Sequence, residues 1–428
     1  AGYRFTATVA PPTTTLPVTY TWRATDQGDV TASVNDVSHA VAWTWTEPGV
    51  KQITVTAANV GGVVTATHVA TVSVPPSGVS VAGPTAGIIN RAYTFTATVA
   101  PPTTTLPVTY TWRATGQGDV TASVSDVSHA VAWTWTEPGV KGITVTAANV
   151  GGAVTATHRV TVSVPPAGVS VAGPRAGVIN GLCTFTATVV PPTTTLPITY
   201  TWQASGLAPQ MHVVDDVTDT VAFRWGALGR QAVTVTARNA GGVVSSTHVV
   251  TITAAAFPFY DGFEAGSLDA GWTTITTAEG RVRVSSAYPY LGDYSVLLDS
   301  RVMGVFSTAA IILTIDLEGQ VGVVLDFWWR EFDDENHAAD GVFISEDGVN
   351  WHRVFSFNDG PSSFRRDIIY LDTWAAAYGL TFNDRFQIAF QYYDNNPIPS
   401  DGYAIDEVRV RPEAVTGVEI GGPTRGNV

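Results

Sequence analysis

Polar and apolar residues alternate in short runs along residues 1–255. Examples are VTYTWRA from Val18, HAVAWTW from His39 and YTFTATV from Tyr93, and the dipeptides PP, PG and GG separate such runs. Alternation with a period of two places every second side chain on the same face of a strand. Short strands at this spacing, punctuated by turn residues, are typical of β-sandwiches.

The same segment is built from three repeats. PPTTTLPVTYTW begins at Pro11 and at Pro101, and PPTTTLPITYTW begins at Pro191. Such self-similarity predicts three copies of one unit, with boundaries at 1–76, 77–166 and 167–256. Each copy carries one tryptophan inside the predicted strand after the loop (Trp22, Trp112 and Trp202), where a large side chain fills the space between two sheets.

Two motifs in the repeats point to a family. The Tyr-Thr-Trp strand and the closing segment EPGVKQITVTAANVGG (Glu47–Gly62) resemble PKD-like and other bacterial immunoglobulin-like modules. The resemblance implies an immunoglobulin-like sandwich. It also implies a spacer role, because such modules usually separate other domains.

The composition changes after residue 256, where threonine becomes rarer and aromatic and acidic residues become more frequent. GFEAGSLDAGW from Gly262, LGDYSVLLDS from Leu291 and GYAIDEVRV from Gly402 resemble the MAM-like group of concanavalin-type jelly rolls. A jelly-roll domain is therefore expected at 257–411. The predicted fold class is all-β: three tandem immunoglobulin-like (PKD-like) sandwiches, a C-terminal jelly-roll sandwich and a trailing strand at 412–428.

The jelly-roll resemblance implies a structural cation near the first and last strands. The motif positions that carry over are Asp261, Glu264, Asp293 and Asp406. Oxygen ligands of this kind suit Ca²⁺. The alternative is that these are turn and edge carboxylates without a metal. The acidic segment at 331–340 lacks the spacing of a calcium loop and is expected to be a solvated loop.

Aromatic residues of the jelly roll offer a second candidate site. Trp328, Trp351 and Trp374 are candidates for stacking against carbohydrate. Alternation opposes this in part, because one member of each pair FWW and QYY must face the core. Buried core residues are the alternative.

Charge and cysteine content exclude several classes of protein. The chain has 22 Lys and Arg against 36 Asp and Glu, a formal net charge of −14, which excludes nucleic acid as a partner. No apolar run approaches the ~18 residues of a membrane span. Cys183 is the only cysteine, which excludes an internal disulfide and a cysteine-based zinc site. No catalytic motif is present, so a protein without enzymatic activity is expected.

Clustered threonines occur in the PPTTTLP loop of each repeat. We consider them either as parts of a proline-stiffened turn or as O-glycosylation sites. The candidates are Thr13, Thr14, Thr15, Thr103, Thr104, Thr105, Thr193, Thr194 and Thr195.

The last residues of the chain repeat the start of a domain. GVEIGGPTRGNV from Gly417 matches GVSVAGPTAGIIN from Gly78 and GVSVAGPRAGVIN from Gly168, whereas AGYRFTATVA from Ala1 matches the residues that follow that phrase. The first repeat is thus expected to lack its opening strand and the tail to supply one. The predicted polymerisation strand includes Gly417, Val418, Ile420 and Val428. The predicted acceptor includes Tyr3, Phe5 and Trp22.

These features predict a subunit of an extracellular or cell-surface filament. Its partner is itself, in a head-to-tail homopolymer formed by strand donation. One alternative is that the chain is one period of a giant covalent tandem protein. Another is an adhesin whose jelly roll binds cell-surface or environmental glycans.

Overall fold

The computed structural model describes residues 2–277, 279–332, 334, 336–394 and 401–414. This part of the chain contains 33 strands and one helix. It divides into two compact units. The first holds the first two repeats, Ala1–Pro165, with Thr193–Thr195 and Ala240–Gly242. The second holds most of the third repeat and the C-terminal domain.

The second repeat is a complete immunoglobulin-like sandwich. Its strands are β7 (Gly78–Ala82), β8 (Ala86–Ile88), β9 (Ala92–Ala100), β10 (Val108–Ala114), β11 (Val120–Val124), β12 (Ser128–Thr134), β13 (Gly139–Asn149) and β14 (Gly152–Ser163). One sheet has the order β12-β9-β7, and the facing sheet has the order β11-β10-β13-β14-β8.

The opening phrase of this repeat forms two strands, where the sequence predicted one. Residues of β7 pair antiparallel with β9, and residues of β8 pair parallel with β14 in the other sheet. Gly83 and Pro84 lie at the crossover. Proline has no backbone N–H to donate to a ladder, so the chain leaves one sheet there and joins the other.

The third repeat has the same topology. Its strands are β15 (Gly168–Ala172), β16 (Ala176–Val178), β17 (Cys183–Val190), β18 (Ile198–Ala204), β19 (Gln210–Val214), β20 (Thr218–Phe223), β21 (Gly229–Asn239) and β22 (Gly242–Thr253). They form sheets of the order β15-β17-β20 and β16-β22-β21-β18-β19.

The predicted tryptophans fill the space between the sheets in all three repeats. Trp22, Trp112 and Trp202 are at most 2% exposed. Their indole N–H groups donate to His39, His129 and Asp219, so burial leaves no unsatisfied donor.

The first repeat has fewer strands among its described residues. They are β1 (Gly2–Thr8), β2 (Val18–Ala24), β3 (Val30–Val34), β4 (Ser38–Thr44), β5 (Gly49–Asn59) and β6 (Gly62–Val72). The sheets are β1-β4 and β3-β2-β5-β6. Within the described residues, each of these sheets therefore has one edge strand fewer than its counterpart in the other repeats.

The C-terminal domain is a jelly-roll sandwich. Its strands are β23 (Phe259–Asp261), β24 (Trp272–Thr277), β25 (Gly280–Ser285), β26 (Ser295–Ser300), β27 (Ser307–Ile315), β28 (Val323–Glu331), β29 (Gly341–Ser345), β30 (His352–Ser356), β31 (Arg365–Tyr370), β32 (Phe386–Asp394) and β33 (Gly402–Pro412). One sheet runs β25-β26-β33-β28-β31 with β23 beside β33, and the other runs β24-β27-β32-β29-β30.

Helix α1 (Leu371–Tyr378) follows β31 directly. It packs Leu371 and Ala375 inward and ends at Gly379, which adopts the left-handed conformation at φ 69°. No helix in the described residues is long and apolar enough to cross a membrane.

Candidate functional site

In the described part of the chain, the first repeat has two open sheet edges where the second and third repeats have strands. In the second repeat, β9 lies between β12 and β7, and β14 lies between β13 and β8. Among the described residues of the first repeat, β1 pairs only with β4, and β6 pairs only with β5. The exposed backbone N–H and C=O groups of such edges are ready to pair with an added strand.

A groove lies between these two edges. It has a volume of about 620 Å³. Its walls are residues 4–10 on and after β1 and 64–68 of β6, and its floor includes Trp22, Ile53 and Val55. We refer to this cavity as the acceptor groove.

Matched positions show what the missing strands cover. Phe95 is fully buried, whereas Phe5, its counterpart in the first repeat, is half-buried. On β6, Val64 is 63% exposed, whereas its counterpart Val154 is half-buried. The acceptor groove is therefore an apolar surface that the fold normally buries.

The predicted acceptor residues contribute in different ways. Phe5 and Trp22 line the acceptor groove, and the Tyr3 ring packs on Trp45 with centroids 5.6 Å apart. In the second repeat the matching tyrosine, Tyr93, accepts a hydrogen bond from the Ile88 N–H at 2.6 Å and thereby holds β8. Tyr3 occupies the position of Tyr93 in the first repeat.

A repeated histidine marks the other wall and was not predicted as part of the site. The rings of His158 and His248 lie 3.0 and 2.9 Å from the carbonyl oxygens of Pro84 and Pro174, between the two opening strands. Their counterpart His68 lines the acceptor groove, and no hydrogen-bond partner for its ring is found among the described residues. The recurrence of this histidine is visible in the sequence. Its role is not, because the proline carbonyls that His158 and His248 contact are distant along the chain.

The predicted donor residues Gly417, Val418, Ile420 and Val428 lie outside the described residues.

The threonine loops are partly buried, which contradicts glycosylation at some of the predicted positions. Thr104 and Thr194 are each 3% exposed, so they are inaccessible. The hydroxyl groups of Thr105 and Thr195 accept hydrogen bonds from the Val74 and Val164 N–H groups at 2.8 and 2.7 Å. The first threonine of each loop (Thr13, Thr103 and Thr193) is exposed.

Three of the four carboxylates predicted to bind calcium, those of Asp261, Glu264 and Asp406, accept hydrogen bonds from N–H groups. Asp261 accepts from the N–H of Phe263 and the indole of Trp272. Glu264 accepts from the N–H groups of Asp293 and Tyr294, and Asp406 accepts from those of Tyr290 and Leu291. The contacts of Glu264 and Asp406 anchor the loop before β26.

Burial raises the pKa of Asp261 and Asp406 to about 6. No group of three or more acidic, histidine or cysteine side chains in the described residues could hold a metal ion. The four predicted residues are therefore not gathered into such a group among the described residues.

The acidic segment at 331–340 is not a simple solvated loop, which corrects the expectation from sequence. Asp334 and Asp340 are buried. Burial, with nearby carboxylates as a further cause, raises the pKa of Asp334 to about 8 and that of Asp340 to about 7. The Tyr403 hydroxyl donates to Asp334 at 2.6 Å, and the Tyr393 N–H donates to Asp340 at the same distance.

The three tryptophans predicted to stack on sugar lie on different elements. Trp328 is on β28 and is covered on one face by Tyr290, with centroids 3.8 Å apart. Trp351 precedes β30, and Trp374 lies on α1. Of the three tryptophans only Trp374 is exposed, and its ring stacks on that of the exposed Tyr378 with centroids 5.8 Å apart. As alternation indicated, Trp329 and Tyr392 are buried.

No family model and no curated protein matches the sequence. Solved structures are similar in fold at low identity. A fragment of titin (I-band I67–I69) has 14% identity and a TM-score of 0.42, over 59% of this chain and 93% of the fragment. The D1–D4 ectodomain fragment of ICAM-5 has 12% identity and a TM-score of 0.44, over 74% of this chain and 92% of the fragment.

A single PKD domain of an M14-like peptidase from Thermoplasmatales archaeon SCGC AB-540-F20 is also similar. It has 20% identity and a TM-score of 0.18, over 21% of this chain and 97% of that domain. Similarity at these levels says nothing about the ligands, partners or activity of this protein. The class that the described architecture defines is a tandem array of immunoglobulin-like sandwiches with a jelly-roll domain.

Proposed function

We propose that the protein is a structural subunit of an extracellular or cell-surface filament that assembles head to tail. The tail of one copy, residues 417–428, fills the acceptor groove of the next. The observation that carries this proposal is the acceptor groove itself, which is open where β7 and β8 lie in the second repeat. The sequence of the tail, GVEIGGPTRGNV, resembles the phrase GVSVAGPTAGII that forms those two strands.

The pairing of the second repeat supplies the register of the proposed junction. Val79 pairs with Val99, and Val81 pairs with Ala97. By the repeat, Val418 would lie opposite Val9, and Ile420 opposite Ala7. Val79 and Val81 pack against the core of the second repeat. Val418 and Ile420 are similar in shape, and complete burial of such a side chain contributes about 1.5–3 kcal/mol.

The second half of the tail would pair with β6 as β8 pairs with β14. Gly87 lies opposite Val162, which places Gly426 opposite Val72. An added Cβ on Gly87 would lie 2.6 Å from the Tyr93 ring, so glycine is required there, and the tail keeps it. A contact between two different surfaces repeats from copy to copy and produces a ring if the rotation closes or a filament if it does not.

Deletion of residues 415–428 tests this function. The full chain is expected to form filaments visible by electron microscopy, and the deleted chain to form none. Addition of a synthetic peptide of residues 417–428 should cap the acceptor groove and shorten the filaments of the full chain. Filaments of normal length from the deleted chain would contradict the proposal.

A covalent tandem array is the alternative within the same architecture. In that case the strands that fill the acceptor groove belong to the same polypeptide. Boiling in detergent distinguishes the two, because hydrogen-bonded strand exchange releases single chains and a peptide bond does not.

An adhesive role for the jelly roll is a second candidate, favoured by the exposed stack of Trp374 and Tyr378. Flat aromatic faces stack on sugar rings. A glycan array probed with the full chain and with Trp374→Ala tests it. Binding that is lost in the variant supports the role, and no binding by either chain contradicts it.

A further inference from the structure

The linkers between repeats are held by a recurring set of backbone contacts. The carbonyl of Val74 accepts from the Thr105 N–H at 3.0 Å and from the Asn149 side-chain amide at 2.9 Å. The Val74 N–H donates to the Thr105 hydroxyl at 2.8 Å. At the next linker, the Val164 N–H donates to the Thr195 hydroxyl, and the Val164 carbonyl accepts from the Thr195 N–H. We refer to the threonine and asparagine that bind the linker, Thr105 and Asn149 in the second repeat, as the linker clamp.

The clamp of the first repeat is assembled but holds nothing among the described residues. The Asn59 amide donates to the Thr15 carbonyl at 2.7 Å, as Asn149 does to Thr105 at 2.8 Å. Asn149 has the linker carbonyl as a second acceptor, and no such acceptor for Asn59 is found in the described part of the chain. Thr15 is exposed, whereas Thr105 is half-buried.

A second cavity of about 460 Å³ lies over this clamp. It is lined by the threonine loop, residues 13–15, and by the β5–β6 turn with Asn59 and Gly61. At the occupied clamp, an added Cβ on Gly151 would lie 2.6 Å from the Ser73 hydroxyl and 3.3 Å from the Pro75 Cα. A Cβ added to Gly61 would lie within 4 Å of the Asn59 side chain alone among the described residues, at 3.3 Å.

We propose that this second cavity is a docking site for the linker of a second copy of this chain, next to the acceptor groove. Thr15 and Asn59 bind the carbonyl of Glu413 of that copy. The inference rests on the proposed strand donation and adds a separate contact to it. The hydrogen bonds of the clamp go to backbone atoms of the linker, so they do not themselves require a valine at this position.

The spacing between the clamped valine and the opening strand identifies which residue of the second copy the clamp would bind. Val74 and Val164 each precede the first glycine of the opening strand, Gly78 or Gly168, by four positions. Counting four positions back from Gly417 gives Glu413. The Glu413 N–H donates to the Gly322 carbonyl at 2.5 Å within its own jelly roll. The backbone carbonyl of Glu413 is therefore the group that the clamp would bind.

Two competing peptides test the clamp. One spans 417–428 and contains the strands alone, and the other spans 411–428 and adds the linker. Each is titrated into the assembling full chain, and the concentration that halves assembly is measured by light scattering. We expect the longer peptide to act at about tenfold lower concentration, because two hydrogen bonds from the acceptor are gained.

Variants of the full chain show which residues cause the difference in potency between the two peptides. Asn59→Ala and Gly61→Ala should each abolish the difference between the peptides while both peptides still inhibit. Asn149→Ala and Gly151→Ala, the same changes at an internal linker, should keep the difference. Equal potency against the unmodified chain, or a difference that survives in both first-repeat variants, overturns the clamp. If neither peptide inhibits, strand donation itself fails and the clamp with it.

Discussion

Phe5 and Phe95 occupy the same position in two nearly identical repeats but differ in burial. Phe95 is fully buried under the opening strands, whereas Phe5 faces the acceptor groove. The difference between them therefore isolates what an added strand does to a single side chain.

We expect Phe95→Ala to destabilise its repeat by about 3–5 kcal/mol, the usual cost of a cavity of this size. Phe5→Ala should cost less than about 3 kcal/mol in dispersed chains, because the ring is already partly hydrated. Hydrogen exchange of each repeat measures both. A larger cost for Phe5→Ala in dispersed chains would contradict an open groove.

The buried carboxylates of the jelly roll make its stability depend on pH. The pKa values of Asp334 and Asp340 in the folded state, about 8 and about 7, exceed the ~3.9 of an unfolded aspartate. The folded state thus binds more protons between pH 4 and 8, and the free energy of unfolding falls as pH rises through this range.

The melting temperature of the jelly roll should therefore be higher at pH 5 than at pH 8. Asp340→Asn removes one titrating group and keeps an oxygen for the Tyr393 N–H, so it should flatten the profile. Calorimetry of the full chain at each pH measures the melting temperature. A melting temperature that is constant or rises from pH 5 to pH 8 would show that these groups are not buried as described.

At the scale of elements, the crossover between β7 and β8 limits which strands can enter a groove. An added Cβ on Gly83 would lie 2.3 Å from the Phe95 ring, and the same holds for Gly173 and Phe185. The tail has glycine at the equivalent position, Gly422. The preceding position is alanine in both internal phrases, Ala82 and Ala172, and is Gly421 in the tail.

Gly422→Val should therefore abolish assembly, because its side chain would collide with Phe5 of the next copy. Gly421→Ala, one residue earlier, should assemble normally, since the fold already accepts alanine there. Sedimentation of the two variants compares them. Equal assembly by both would argue against a tail that enters the acceptor groove in this register.

The strands and their core residues were predictable because alternation and duplication are local signals. Trp22 and Trp329 are buried as alternation indicated. Helix α1 was missed, although the run of alanines before Gly379 was a signal for it. The clamp role of Thr105 and the burial of Asp340 were not predictable, because their neighbours come from distant parts of the sequence.

At the scale of the whole molecule, strand donation between copies would produce a polymer held together by hydrogen bonds and apolar burial. Filaments boiled in detergent should run as single chains of 45.1 kDa on a gel. Material that stays far larger after boiling would favour the covalent tandem alternative.

Disulfide trapping tests strand donation most directly. Copies with Val9→Cys are mixed with copies with Val418→Cys and oxidised, and the only native cysteine, Cys183, is buried. If the tail enters the acceptor groove, a covalent dimer should appear on a non-reducing gel, because cross-strand partners lie within disulfide reach. Thr31→Cys, exposed on β3, is the control and should not trap. Absence of the Val9–Val418 dimer, or equal trapping at Thr31, would contradict the account.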